Sequence, residues 1–157
     1  MYIFNSENEE NTIQLAYTIA KVLEKGDIIV LNGELGAGKT KFTQGILKYF
    51  GLEKEISSPT FTIVNEYTKD NVNIYHFDVY RLEDEEEFYA IGGEEYFQNG
   101  ICIIEWGELI KNVLPKDYIE IKFNKNDDNL DFRTIEIYPH GEKMNKKLKN
   151  LSIEEIK

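Results

Sequence analysis

The sequence predicts an α/β fold: a mixed sheet with a parallel core, flanking helices and antiparallel hairpins. Three observations carry this. Residues 28–31 (Ile-Ile-Val-Leu) and 101–104 (Ile-Cys-Ile-Ile) are short apolar runs of the kind buried on both faces of a parallel sheet. Stretches with helical spacing alternate with these and other extended segments. A glycine-rich turn joins the first run directly to a helix.

Taken in order, Ser6-Glu7-Asn8-Glu9 reads as a capping box with Ser6 at the cap. Behind it, Ile13, Ala16, Tyr17 and Ala20 form one helical stripe and Leu15, Ile19 and Val22 a second, so the helix is covered on two faces. Gly26 is its expected stop. After the first buried strand, residues 39–50 carry Phe42, Ile46, Leu47 and Phe50 at helical spacing, and Gly51 ends that helix. Residues 61–67 and 73–80 read as extended, joined by the turn-like Lys69-Asp70-Asn71 into an antiparallel hairpin. Residues 82–89 read as a helix with acids in its first turn, where the helix dipole favours them. Asn99-Gly100 launches the second buried strand, and residues 118–123 and 132–138 alternate as a closing hairpin. No repeat, low-complexity tract or linker appears before residue 140. The expected division is one α/β domain over 1–141 and a polar C-terminal helix or tail over 142–157, anchored weakly by Met144, Leu148 and Leu151.

At 157 residues the chain is one domain long, and large enough to bury a core without disulfides. Its aliphatic runs are far shorter than the roughly 20 residues of a membrane span. Residues 1–10 lack the pattern of a secretory signal, and the single cysteine, Cys102, reads as a small buried hydrophobe. The cytoplasm is the expected compartment. With 18 basic against 29 acidic residues the net charge is −11. Five basic residues lie in 142–157 beside three acids, leaving 13 basic against 26 acidic elsewhere. Tight binding to DNA or tRNA needs clustered cations. The acidic body suits solubility or a basic protein partner instead.

Gly33-Glu34-Leu35-Gly36-Ala37-Gly38-Lys39-Thr40 matches G-x-x-x-x-G-K-[ST] at every fixed position, between a buried strand and an amphipathic helix. This is a P-loop, and the fold expected is P-loop NTPase-like. Its glycines let backbone N–H groups approach phosphates, and the helix N-terminus adds partial positive charge. Lys39 would reach the β- and γ-phosphates and the Thr40 hydroxyl would hold Mg²⁺. A second metal group belongs at the end of a neighbouring buried strand, where Glu105 stands; Asp78, ending the other extended segment, is an alternative. Trp106 either packs near the nucleotide and gates the site or is a core-rim aromatic. His76, on the strand face of Asp78, either orients Asp78, senses the γ-phosphate or is structural. His140 reads as a surface turn residue.

Asn124-Lys125-Asn126-Asp127 spells the guanine-reading N-K-x-D. No Asp-x-x-Gly follows a metal strand, so residues 124–129 read as a hairpin turn rich in Asn and Asp. A nucleotide kinase would clamp two phosphorylated substrates with several arginines. This chain has only Arg81 and Arg133.

Together, the P-loop, Ser57-Ser58-Pro59-Thr60-Phe61, Tyr75-His76-Phe77-Asp78-Val79-Tyr80-Arg81-Leu82 and Ile104-Glu105-Trp106 resemble the bacterial TsaE (YjeE) family over residues 5–140. These are small P-loop ATPases needed for the threonylcarbamoyladenosine modification of tRNA. The resemblance implies that Lys39 and the loop, Gly33, Leu35, Gly36, Ala37 and Gly38 included, bind ATP. It implies that Thr40 and Glu105 ligate Mg²⁺, and that Asp78 lies near the metal and the attacking water. Ser58 and Thr60 belong to a switch-like loop. Arg133 contacts the nucleotide from the last hairpin, and Glu9 does so from the first helix. The partners implied are TsaD and TsaB, with tRNA met only through that complex. The function expected is a slow ATPase that resets or drives the complex. The alternative is a nucleotide-dependent switch, GTP-loaded, without significant turnover.

Overall fold

The computed structural model describes residues 1–34, 36–52 and 64–151. At its centre are β2 (Ile28–Gly33) and β5 (Ile101–Glu105), which pair in parallel, Ile29 opposite Ile103 and Leu31 opposite Glu105. Their side chains are apolar on both faces, and both faces are covered. β6 (Tyr118–Lys125) lies parallel on the other side of β2, and β4 (Val72–Asp78) lies parallel beside β5. Antiparallel strands close each edge: β3 (Val64–Lys69) on β4, and β7 (Arg133–His140) with β1 (Tyr2–Ser6) on β6. Among the described residues seven strands run β1-β7-β6-β2-β5-β4-β3, a parallel core between hairpins, as the sequence predicts.

The β3–β4 hairpin turns on Asp70 and Asn71, both left-handed at φ 51° and 67°. These are residue types that tolerate the geometry a two-residue hairpin demands. Residues 61–63 of the expected first strand lie outside the described residues.

One face of the sheet is covered by α1 (Glu9–Ala20), α2 (Lys39–Tyr49) and α5 (Glu142–Asn150) around a core that includes Leu15, Ile19, Phe42, Ile46 and Ile103. The other face carries α3 (Glu85–Ala90), α4 (Gly93–Asn99) and a 3-10 helix at Gly107–Val113 over Val30, Phe77, Phe88, Ile104 and Ile110. Of the polar C-terminal stretch expected as a helix or tail, Glu142–Asn150 forms α5, and residues 152–157 lie outside the described residues. Met144 and Leu148 of α5, with Leu151 just beyond, are buried in the first core. Lys143 and Lys147 converge on the fully buried Asp27 that precedes β2. Asp27 holds the Lys143 ammonium above its ordinary pKa. Among the described residues, no helix is long and apolar enough to cross a membrane.

Several local expectations are corrected. The cap of α1 is Asn8, which accepts from the Asn11 N–H at 2.9 Å, not Ser6. Asn caps as well as Ser does, and Ser6 is instead buried at the end of β1, its hydroxyl bonded to Asn8 O and to the Thr12 hydroxyl. β1 itself and α4 had no clear periodic signal. Gly26, at φ +96°, turns the chain into β2 rather than capping α1. The extended segment read as 73–80 stops at Asp78, where a 3-10 turn (Val79–Arg81) begins, and the next helix starts at the Asp84 cap.

Helices α1 and α2 cross where Gly45 removes a side chain. A Cβ there would lie 2.3 Å from Ile13 O and 2.6 Å from Ala16 Cβ. Alanine favours a helix interior by about 1 kcal/mol over glycine, but overpacking against a backbone carbonyl costs about 3 kcal/mol. Gly45→Ala is therefore expected to destabilise by about 2 kcal/mol net, seen as a lower urea midpoint at unchanged m-value. An unchanged or raised midpoint would contradict this packing.

Candidate active site

β2 delivers the chain to Gly33, and α2 begins at Lys39. Gly36 and Gly38 lie between them at φ +78° and +113°, conformations that side chains rarely adopt. Gly38 caps α2 without a side-chain hydrogen bond, and the first turn of α2 holds no acid. Its leading N–H groups and the positive end of its dipole are thus left for an external anion. Phe123 of β6 packs closely against Gly33, 3.0 Å from where a Cβ would stand.

Arg133 fixes the outer side of this loop. Its guanidinium donates to Ala37 O at 3.2 Å, Gly36 O at 3.1 Å, Phe132 O at 2.8 Å and Leu130 O. Because the peptide is trans, holding the Ala37 carbonyl outward turns the Gly38 N–H the opposite way. The structure thus places Arg133 against loop carbonyls, at the edge of the cleft.

Lys39 is 6% exposed, and its Nζ donates to Gly33 O at 2.7 Å. The same ammonium lies 3.9 Å from the centroid of the Trp106 ring. Burial lowers its pKa, against the opposing pull of Glu105 and Asp78. Trp106 is held in the left-handed region at φ 64°, ψ 32°, its N–H donating to Leu31 O at 3.0 Å and its ring 5.1 Å from that of Tyr80. A tryptophan rarely adopts that backbone, and such outliers gather at functional sites.

Asp78 and Glu105 are register partners at the C-terminal ends of β4 and β5. In an open parallel sheet that end is where ligands bind. His76 Nε2 bonds Glu105 Oε2 at 2.6 Å, both side chains nearly buried. His76 therefore braces Glu105, whereas Asp78 accepts from the Tyr80 N–H at 3.1 Å. The oxygens of Thr40, Glu105 and Asp78 are the hard donors that magnesium takes. Among the described residues, no cluster of three His, Cys, Asp or Glu could hold a metal alone.

These groups meet in one cleft of about 610 Å³. Of the residues singled out in the sequence, it is lined by Glu9, Gly36, Gly38, Lys39, Thr40, His76, Asp78, Glu105, Trp106 and Arg133. Glu9 stands at the mouth, ion-paired with Lys41 at 3.5 Å. Gly33 supplies the carbonyl that holds Lys39, while Ala37 is buried in the core. Leu35, Ser58 and Thr60 lie outside the described residues. Sequence reasoning missed Thr12, Tyr80 and Leu130, which also line the cleft. Thr12 could have been found: it heads the buried α1 stripe that continues through Leu15, Ala16 and Ile19.

The chain matches the family described as "Threonylcarbamoyl adenosine biosynthesis protein TsaE" over residues 6–135. It is 45% identical over 130 residues to the tRNA threonylcarbamoyladenosine biosynthesis protein TsaE of Rickettsia conorii, covering 82% of this chain and 73% of the relative. It is 42% identical over 123 residues to that of Bacillus subtilis, covering 78% and 77%. The crystal structure of Bacillus subtilis YdiB superposes with a TM-score of 0.80 at 33% identity, covering 98% of this chain and 95% of that one. A sequence matched over most of its length and a shared fold lead to one assignment: the chain belongs to the TsaE family of tRNA threonylcarbamoyladenosine biosynthesis.

Proposed function

We propose that this chain binds ATP with Mg²⁺ in the cleft and hydrolyses it slowly, as the ATPase subunit that acts on the TsaD–TsaB complex in the cytoplasm. The observation that carries the reading is Lys39, buried at the uncapped start of α2 and facing the register-paired acids Asp78 and Glu105. Lys39 exchanges the Gly33 carbonyl for the β- and γ-phosphate oxygens, which are stronger, charged acceptors. The N–H groups of the loop and first helical turn hold the remaining oxygens. Thr40 and Glu105 would hold Mg²⁺, which neutralises charge developing on the phosphates. Asp78 would orient the attacking water. The acidic surface favours meeting proteins, with tRNA reached only through them.

Arg133 is committed to loop carbonyls and does not reach across the cleft as an arginine finger. Such a group is worth about 10³ to 10⁵ in rate, so turnover by the isolated chain should be slow and should rise about tenfold or more with TsaD–TsaB. Phosphate release measured with and without the purified complex tests this. Equal turnover in both arms refutes the partner reading. Competition of ATP against GTP in the same preparation tests the base. The turn expected over residues 124–129 begins only at Asn126, whose side chain accepts from the N–H groups of Asp128 and Asn129, while Asn124 and Lys125 are the last residues of β6, paired with Thr134 and Arg133. Preferential GTP binding without turnover would favour a switch instead.

A further inference from the structure

A second groove lies on the opposite face of β2 from α1 and α2. It opens where the helical layer stops, between the 3-10 helix at Gly107–Val113 and β6. Its floor is Val30 and Asn32. Asn32 is only 4% exposed, and its Nδ2 donates to Glu120 Oε2 at 2.9 Å. Its Oδ1 has no hydrogen-bond partner among the described residues. A buried amide oxygen left without a donor costs about 1–3 kcal/mol, so the groove is chemically incomplete.

We propose that this groove receives the guanidinium of an arginine carried by a partner protein. Three features select that group. Asn32 Oδ1 needs a donor. Glu120, whose side chain is 17% exposed, has its other oxygen on His140 Nε2 at 3.1 Å and is a carboxylate beside that orphaned oxygen. As the arginine seats, the side chains over the buried Asn32 Oδ1 must shift to expose it; a planar fork then donates to both at once, which a point-like ammonium does less well. Tyr118 and His140 stack beside them with centroids 4.3 Å apart and planes 13° apart, the kind of flat surface on which guanidinium groups lie. Glu108 also lines the groove, and the net charge of −11 draws basic partners. Two lysines oppose the cation. Lys122 is turned toward the Tyr138 ring at 5.1 Å, and Lys111 stands on the wall. His140, expected from sequence as a surface turn residue, is instead the last residue of β7, paired with Tyr118, and lines the groove. Asn32 is bonded to Gly33, so the occupant touches the residue that leads into the phosphate loop.

The test is an NMR titration of the ¹⁵N-labelled full chain with N-acetyl-arginine amide, and with its neutral isostere N-acetyl-citrulline amide, at fixed ionic strength. Saturable shifts are expected at the Asn32 side-chain amide and the Gly107 N–H, about tenfold weaker in affinity for citrulline. Glu120→Gln should weaken the arginine by a similar factor, and Lys111→Ala should tighten it. No saturable shift, an equal response to citrulline, or no effect of either substitution overturns the proposal. Free arginine binding more tightly than the blocked residue would mark a small-molecule site and overturn docking. The titration uses no nucleotide, so its outcome is independent of the ATPase reading.

Discussion

Replacing Lys39 with alanine is expected to lower ATP affinity by about 100-fold or more, read by calorimetric titration, while the fold survives. The size follows from what the ammonium would touch. Each charge-assisted hydrogen bond to a phosphate oxygen is worth about 1.5–3 kcal/mol, and two of them make about 3–6 kcal/mol. Two effects reduce this. In the free protein Lys39 already bonds Gly33 O and lies under Trp106, contacts that nucleotide binding must exchange. Burial also lowers its pKa, so its charge is less strongly held than that of an exposed lysine. Neither offset approaches two charge-assisted bonds to a polyanion. Lys39→Ala also leaves Gly33 O without its donor, which loosens the loop and adds to the loss. ATP bound within threefold of the parent protein would mean that the phosphates lie elsewhere.

The site was legible because its chemistry is local. Eight consecutive residues specify the loop, and the unbroken apolar run over residues 101–104 puts Glu105 at a strand end. The parallel core was equally plain, since only strands covered on both faces read as unbroken apolar runs. What escaped depends on distance. β1 is an edge strand whose partner, β7, lies more than 120 residues away, and its own pattern is too short to announce pairing. Ser6 and Asn8 are both good caps. Only the sheet, by claiming Ser6, decides between them. His76 binds Glu105 diagonally across β4 and β5, since the register partner of His76 is Ile103 and that of Glu105 is Asp78, and no pattern within either strand announces such a pair. The expected nucleotide contact of Arg133 followed from resemblance alone. Its engagement with Gly36 and Ala37 depends on a hairpin returning beside the loop, which no local pattern encodes.

Glu105→Gln should separate binding from hydrolysis. With Mg²⁺ present, turnover is expected to fall about 10²- to 10³-fold, because the ion's contribution to stabilising the reacting phosphate is worth several kcal/mol. Glutamine preserves the volume and can still meet His76 Nε2, so the variant removes charge rather than packing. Without Mg²⁺ the sign reverses. A carboxylate beside Lys39 repels the phosphates when no cation lies between them, so Glu105→Gln should bind Mg²⁺-free ATP as tightly as the parent protein or more so. The crossing of these two results is the diagnostic. A purely structural Glu105 would lose affinity in both conditions, since its loss would disturb the Trp106 backbone that follows it. Asp78→Asn in parallel decides which acid meets the ion. If Asp78→Asn shows the crossing and Glu105→Gln does not, the metal lies on β4 and the brace from His76 holds Glu105 for another task.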